Sequence, residues 1–302
     1  MSEVVISDPL LAEGLARISE EIDGAFDALL PVPDDQRARL VEAMRYAAIG
    51  GGKRLRPLLL TAVAEMFGVV REAAIRAAIA IESIHVYSLI HDDLPCMDDD
   101  ALRHGKPTVH LAYDEATAVL AGDSLLAFAF EVLGDPAVSA DPFTRIELVQ
   151  ALAHASGAQG MAGGQMMDIV AENSEFDLQT ITRLQQLKTG ALLGAAVEMG
   201  AILGRIPPEG RTHLRGYARD IGLAFQIADD LIDHEGDVLL AGKAVGKDAA
   251  AGKQTFVSLL GAERAREQAR MLVEQAIGHL AQHGKEADLL RAVARYIVER
   301  KH

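Results

Sequence analysis

Almost every informative window of this chain spaces its apolar residues three and four apart, and the period-two alternation of β-branched residues that marks a half-buried strand is nearly absent. Such a chain has helices to pack and no sheet to pack them on, so the expected fold class is all-α. Breaks fall at Pro31 to Pro33, Gly50 to Gly52, Gly134 to Pro142, Glu172 to Phe176, Gly204 to Gly210 and Gly236 to Gly252. Between these breaks the spacing predicts helices over 8–30, 35–49, 57–67, 71–91, 115–133, 144–170, 178–203, 210–235, 263–282 and 286–300. No linker-like composition shift, low-complexity tract or short repeat divides them, so residues 1–302 read as a single-domain helical bundle. Aromatic residues make up 4% and tryptophan is absent, which leaves Ala, Leu, Ile and Val to fill the core and lets helices approach closely.

The charge balance narrows the partners. Lys and Arg total 29 against 44 Asp and Glu, a net charge of −15. A surface of that sign repels nucleic-acid backbones and anionic membranes, so no nucleic acid is expected, and any phosphate ligand must be met by locally placed cations. Cys96 is the only cysteine and can form no intrachain disulfide. The first residues lack the basic region and apolar run of a secretion signal, and a cytoplasmic chain is expected. No uninterrupted apolar run approaches the roughly 18 residues of a membrane span, and Ala191 to Gly204 carries Glu198, so no membrane insertion is expected.

Two aspartate clusters interrupt otherwise apolar helices. In 210–235, Asp229 and Asp233 lie four apart, about 40° from each other around a helix, with Gln226 on the same face and Asp230 beside them. The helix 71–91 runs into the other cluster, first in the chain: Asp92, Asp93, Asp98, Asp99 and Asp100. Here Asp92 and Asp98 are six apart, about 240° on a regular helix, and can share a ligand only if the helix ends between them. Pro95 supplies the reason for such an end. One acidic run alone is as readily a solvated face. Two in apolar surroundings require neutralisation, because adjacent carboxylates about 4 Å apart repel by roughly 4 kcal/mol at an effective dielectric of 20. Oxygen donors without a Cys or His cluster favour a hard cation, and Mg²⁺ characteristically bridges one or two carboxylates to substrate phosphates.

Cations stand where such phosphates would lie. Gly50 to Gly52 lead into Lys53, Arg54 and Arg56 at a helix start, an arrangement suited to anions although it is not a Walker A loop. Lys188 is the only charge between Arg183 and Glu198, with Thr189 beside it, and a lysine in such a run has either an anion to meet or a route to the surface. Lys243, Lys247 and Lys253 lie in a Gly/Ala-rich stretch after the second aspartate cluster, either a lid bringing positive charge or a solvated loop. Six of these eight aspartates, balanced by about three Mg²⁺, would leave these cations to hold a diphosphate.

Together these residues resemble the trans-isoprenyl diphosphate synthases, most closely the bacterial-type farnesyl diphosphate synthases. The matching motifs are GGKRLRP at 51–57, HVYSLIHDDLPCMDDDALRHGKP at 85–107, GGQ at 163–165, KTG at 188–190 and FQIADDLID at 225–233. The resemblance implies an all-α bundle around a deep central cavity, usually a homodimer. It implies that Asp92, Asp98 and Asp229, with Asp233 through water, hold about three Mg²⁺ on an allylic diphosphate, with Asp93 and Asp230 supporting. Arg103, Lys188, Lys243 and Lys253 would grip that diphosphate. Lys53, Arg56 and His85 would bind isopentenyl diphosphate, and Thr189 and Gln226 would assist near the departing oxygen. The implied reaction is head-to-tail condensation of isopentenyl diphosphate with dimethylallyl or geranyl diphosphate.

The chain departs from that pattern in two places. His104 stands where the family commonly has a second arginine, which weakens the isopentenyl diphosphate site or makes it pH-sensitive, and Val257 replaces a common proline. His85, about 20° from the face of Asp92, could equally be a core histidine. Ser88 lies one turn before Asp92 and Tyr87 flanks it; with the two-residue insertion in the first motif they suggest a stop at fifteen carbons, ten or twenty remaining open. A terpene cyclase would also ionise a diphosphate, but would call for a different second metal motif and an aromatic cavity. A non-catalytic regulatory subunit would not need both aspartate clusters intact.

Overall fold

The computed structural model describes residues 8–171, 174–235 and 254–300. The chain begins with α1 (Pro9–Leu29), α2 (Ala38–Ala48), α3 (Leu55–Met66) and α4 (Arg71–Asp92), followed by a two-stranded hairpin of β1 (Leu102–Arg103) and β2 (Lys106–Pro107). Next come α5 (Val109–Ala112), α6 (Glu115–Gly134), α7 (Pro142–Ser156), α8 (Met161–Ala171) and α9 (Leu178–Gln185). A π-helical turn, Gln186–Gly190, joins α9 to α10 (Ala191–Leu203). A short 3₁₀ turn precedes α11 (Thr212–Glu235), and the described chain closes with α12 (Phe256–Leu260), α13 (Ala262–His279) and α14 (Asp288–Glu299). Helix starts follow the capping chemistry in the sequence: Asp8, Asp114, Asp141 and Asp177 each accept backbone N–H groups of the first turn.

The all-α expectation holds, with three refinements. The segment 144–170 is two helices, because the chain turns from Gly157 to Gly160 between α7 and α8. The segment 178–203 is interrupted by the π turn. The third is the hairpin at 102–107, whose antiparallel register pairs Leu102 with Pro107 and Arg103 with Lys106. His104 (φ 52°) and Gly105 (φ 76°) both turn left-handed at its tip, as a two-residue hairpin of this twist demands. Lys243, Lys247 and Lys253 lie outside the described residues.

The centre of the bundle is α4. From Ala77 to Ile84 every residue is buried, and small Ala77, Ala78 and Ala80 let α3, α6 and α10 close on it. A buried ion network fastens the entry to α3. Arg54 (φ 50°, 3% exposed) donates to Glu82 Oε1 at 2.8 Å, Asp23 Oδ1 at 2.6 Å and the Ala48 carbonyl at 2.5 Å, tying α1, α2 and α4 together. By length and hydropathy α4 and α6 could each cross a bilayer; 67% of the apolar window of α4 is buried in the bundle and 44% of that of α6.

Candidate active site

The first aspartate cluster is built by the end of α4. The helix stops at Asp92, and the Asp98 N–H turns back to donate to the Asp92 carbonyl at 2.8 Å, while those of Met97 and Asp99 return to the Leu94 carbonyl. The six-residue separation is thereby closed, and Asp98 acts electrostatically on Asp92. Burial pushes the Asp92 carboxyl up to about 6, with Asp98 and Asp93 adding to the shift and Lys188 and Arg103 opposing it. Asp93 faces the other way. It is 3% exposed and ion-paired with Arg103, whose Nε lies 3.1 and 3.3 Å from its two oxygens. Arg103 also lies 3.5 Å from Asp100. The hairpin therefore holds Arg103 beside the cluster with Asp93 as its counter-ion.

The basic residues ring the same place. Arg56, His85, Asp92, Lys188 and Thr189 line one cavity of about 380 Å³, together with Tyr87, Ser88 and His91 from α4 and Met161, Ala162, Gln165, Met166 and Ile169 from α8. His85 is held well below the ordinary imidazole range by burial and then by Arg56, His104, Arg103 and Arg54, so it is neutral near pH 7. His104 is lowered for the same reasons, by burial and by Arg103, Arg54, Lys106 and Lys53, and its ring lies over the glycine turn, within 3.3 Å of where a Gly51 side chain would begin. Lys53 is exposed at that turn. Arg54, by contrast, points inward and belongs to the core.

Lys188 and Thr189 reach the cavity because they sit in the π turn, whose wider ring shifts them off the regular helical face. Gly164 makes this possible: a Cβ there would stand 2.2 Å from the Lys188 backbone nitrogen, so only glycine lets α8 close on the turn. The Lys188 ammonium donates to Asp168 Oδ2 at 2.7 Å. From α11, Gln226 Oε1 accepts from the Thr189 hydroxyl at 3.2 Å, and Gln226 Nε2 donates to Asp230 Oδ1 at 3.1 Å. Asp230 is 4% exposed and also accepts the Phe256 N–H at 2.9 Å, so it anchors Gln226 and the start of α12. Asp229 accepts from Arg300 Nη2 at 2.8 Å and acts electrostatically on Arg56. Arg300, 3% exposed at the side chain, also donates to the Phe225 carbonyl and lies 3.8 Å over the Phe225 ring.

Sequence reasoning does not name Asp168 or Arg300, and of the α8 wall it names only the GGQ motif at 163–165. Asp168 carried a usable signal, being the only charge in Met161–Ala171. Arg300 carried none, since nothing in its neighbourhood distinguishes it from a surface cation.

The polyprenyl synthetase family model matches residues 37–296. The farnesyl diphosphate synthase of Escherichia coli (strain K12) is 44% identical over 97% of this chain and 98% of that protein. A chloroplastic geranylgeranyl pyrophosphate synthase of Catharanthus roseus is 42% identical over 87% of this chain and 74% of its own. Among solved structures, an FPP/GFPP synthase from Zymomonas mobilis in its apo form superposes with a TM-score of 0.88 and 60% identity over 95% of this chain and 98% of that one. This chain belongs to the polyprenyl synthetase family.

Proposed function

We propose that this protein is a prenyltransferase that condenses isopentenyl diphosphate head-to-tail with dimethylallyl and geranyl diphosphate, releasing pyrophosphate and making farnesyl diphosphate. One observation carries the reading: a single cavity brings Asp92, Lys188, Arg56 and His85 together with the apolar side chains of Met161, Ala162, Met166 and Ile169. A diphosphate head and a hydrocarbon tail fit those two environments.

The donors also fit magnesium. Among the described residues no three His, Cys, Asp or Glu side chains converge closely enough to enclose an ion. Asp92 is nonetheless a half-buried carboxylate crowded by Asp98 and Asp93. An ion here would complete its shell with water and diphosphate oxygens, as Mg²⁺ prefers. Asp92, Asp98, Asp229 and Asp233 would hold about three such ions, whose positive charge supports departure of the diphosphate. Lys188, seated by Asp168, and Arg103, seated by Asp93, steady the leaving group. Thr189, held by Gln226, offers a hydroxyl beside the departing oxygen. Arg56, neutral His85, Lys53 and His104 receive the isopentenyl diphosphate, and the apolar α4 and α8 walls keep water from the allylic cation until the double bond attacks. Lys243 and Lys253 would add to the grip on the allylic diphosphate.

We further propose a cytoplasmic homodimer formed by one folded unit over residues 1–302. Supporting a self-association face, α5, α6 and α7 leave Leu111, Val119, Leu120, Phe143 and Ile146 40–80% exposed. A second reading, a product of twenty carbons or more, is favoured by the likeness to the Catharanthus geranylgeranyl pyrophosphate synthase and the Zymomonas FPP/GFPP synthase. The test is product analysis with geranyl and isopentenyl diphosphates and Mg²⁺. A fifteen-carbon diphosphate is expected; cyclic hydrocarbon from the allylic substrate alone, or no turnover by the pure protein, would overturn the reading.

A further inference from the structure

One side chain of the cavity lining also packs against a neighbouring helix. His91 immediately precedes Asp92 on α4, but about 100° around the helix, so it turns toward α6 while Asp92 faces the cations. Its ring lies against Gly122: a methyl group there would stand 2.1 Å from His91 Nε2, 2.5 Å from Cδ2 and 2.8 Å from Cε1. The imidazole Nε2–H donates to the Val119 carbonyl, 3.2 Å away, which fixes both tautomer and ring plane. Gly122 is buried and α4 packs along α6, so this seat is rigid.

What rests on His91 is Tyr87. The two residues are one turn apart on the same face of α4, with ring centroids 5.7 Å apart and planes crossing at 74°, an edge-to-face contact. Both line the 380 Å³ cavity, as do Met166 and Ile169 of α8. A lone tyrosine could rotate away from a growing hydrocarbon tail at little cost, since only a rotamer change opposes it. A tyrosine braced by an imidazole that is itself hydrogen-bonded to a neighbouring helix cannot move without displacing that imidazole.

We infer that His91 is a positioning residue for product length: seated over Gly122 and bonded to Val119, it holds Tyr87 across the cavity and makes the floor that ends elongation. The inference rests on the condensation reading above. It assigns the stop to the α4–α6 contact as well as to the bulk of Tyr87, and predicts that Gly122, which is not among the residues lining the cavity, controls chain length.

The experiment measures prenyl products by chromatography for wild type, His91→Ala, Gly122→Ala and Tyr87→Ala with geranyl and isopentenyl diphosphates. His91→Ala and Gly122→Ala should each raise the share of products longer than fifteen carbons several-fold. The double variant His91→Ala/Tyr87→Ala should extend products little beyond Tyr87→Ala alone, because the two act as one floor. Wild-type product lengths from an active His91→Ala or Gly122→Ala enzyme would overturn the inference. So would loss of all turnover in both variants beside an active wild type, since that would put His91 in the service of Asp92. Failure of the wild type to condense at all would instead strike the reaction assignment.

Discussion

The two aspartate clusters solve one problem with different backbones. The second uses a continuous helix, in which Asp229 and Asp233 share a face by their spacing of four, while the first requires α4 to stop and Asp98 to fold back onto the Asp92 carbonyl. Each cluster spends one carboxylate on the protein: Asp93 seats Arg103, and Asp230 seats Gln226 and Phe256. They differ in what faces the remaining carboxylates. Asp229 has the Arg300 guanidinium at 2.8 Å, whereas Asp92 is pushed up to about 6 by burial and by its own neighbours. The first cluster is thus the electrostatically costly one, and the second is already partly neutralised.

The largest effect that would break this contrast is Asp92→Asn. Turnover should fall by about 10³ or more if Asp92 carries metal at the leaving group. Without metal the same variant should be more stable. A carboxyl raised from 3.8 to about 6 favours the folded state only when protonated, so its penalty is absent below about pH 4, enters between 4 and 6 and is full above that. Relief of roughly 1–3 kcal/mol, a few degrees in Tm, is expected at pH 8 and none at pH 3.5, and thermal unfolding at the two pH values checks it. An unchanged Tm at pH 8 would show that Asp92 is not strained.

Asp230→Ala should come next. It leaves the Phe256 N–H and the Gln226 amide without their acceptor, which costs about 1–3 kcal/mol. Through the displaced Gln226 and Thr189 it should also lower kcat by about 10- to 100-fold, as loss of a supporting contact around a metal site does. A steady-state assay separates this from a KM effect. Arg300→Met then removes the contrast itself. With its cation gone Asp229 should resemble Asp92, and Mg²⁺-pyrophosphate should bind roughly three- to tenfold tighter by calorimetry, or about 0.7–1.4 kcal/mol. Weaker binding would mean that Arg300 aims Asp229 instead of masking it.

Much of this arrangement could be read from residue order alone. Pro95 announced the end of α4 that the six-residue spacing of Asp92 and Asp98 needed, and Lys188, lone in an apolar run, did face an anion. That anion is Asp168, visible by the same rule applied to α8 but separated by 20 residues and a turn. Spacing alone does not separate Arg54 from Arg56, although the resemblance singled out Arg56, because they enter α3 from a glycine turn where no helical period says which side is inward; the left-handed backbone of Arg54 decides it. The π turn, the break after Gly157 and the hairpin escaped for a related reason. Each depends on close contact with another element, Gly164 against Lys188 being the clearest case, and local spacing carries no record of such contacts.

The smallest expected effect sharpens the comparison from the far end of α11. His213 Nε2 lies 2.7 Å from His283 Nε2, and burial together with His283 and His279 lowers the His213 imidazole below its ordinary range. The folded state therefore prefers it neutral, and this contribution is present above about pH 6.5 and lost as pH falls through the lowered value. Its slope is opposite in sign to that of Asp92. His283→Gln should flatten the decline of Tm between pH 6.5 and 5 by a degree or two, and an unchanged decline would assign it elsewhere.

The account turns on ions and a diphosphate joining the two clusters. Calorimetric titration of inorganic pyrophosphate with and without Mg²⁺, for wild type, Asp92→Asn and Asp229→Asn, addresses it most directly. Binding is predicted only when magnesium is present, and is predicted to be lost when either cluster is altered. Equal binding without magnesium, or binding that survives disruption of one cluster, would contradict it.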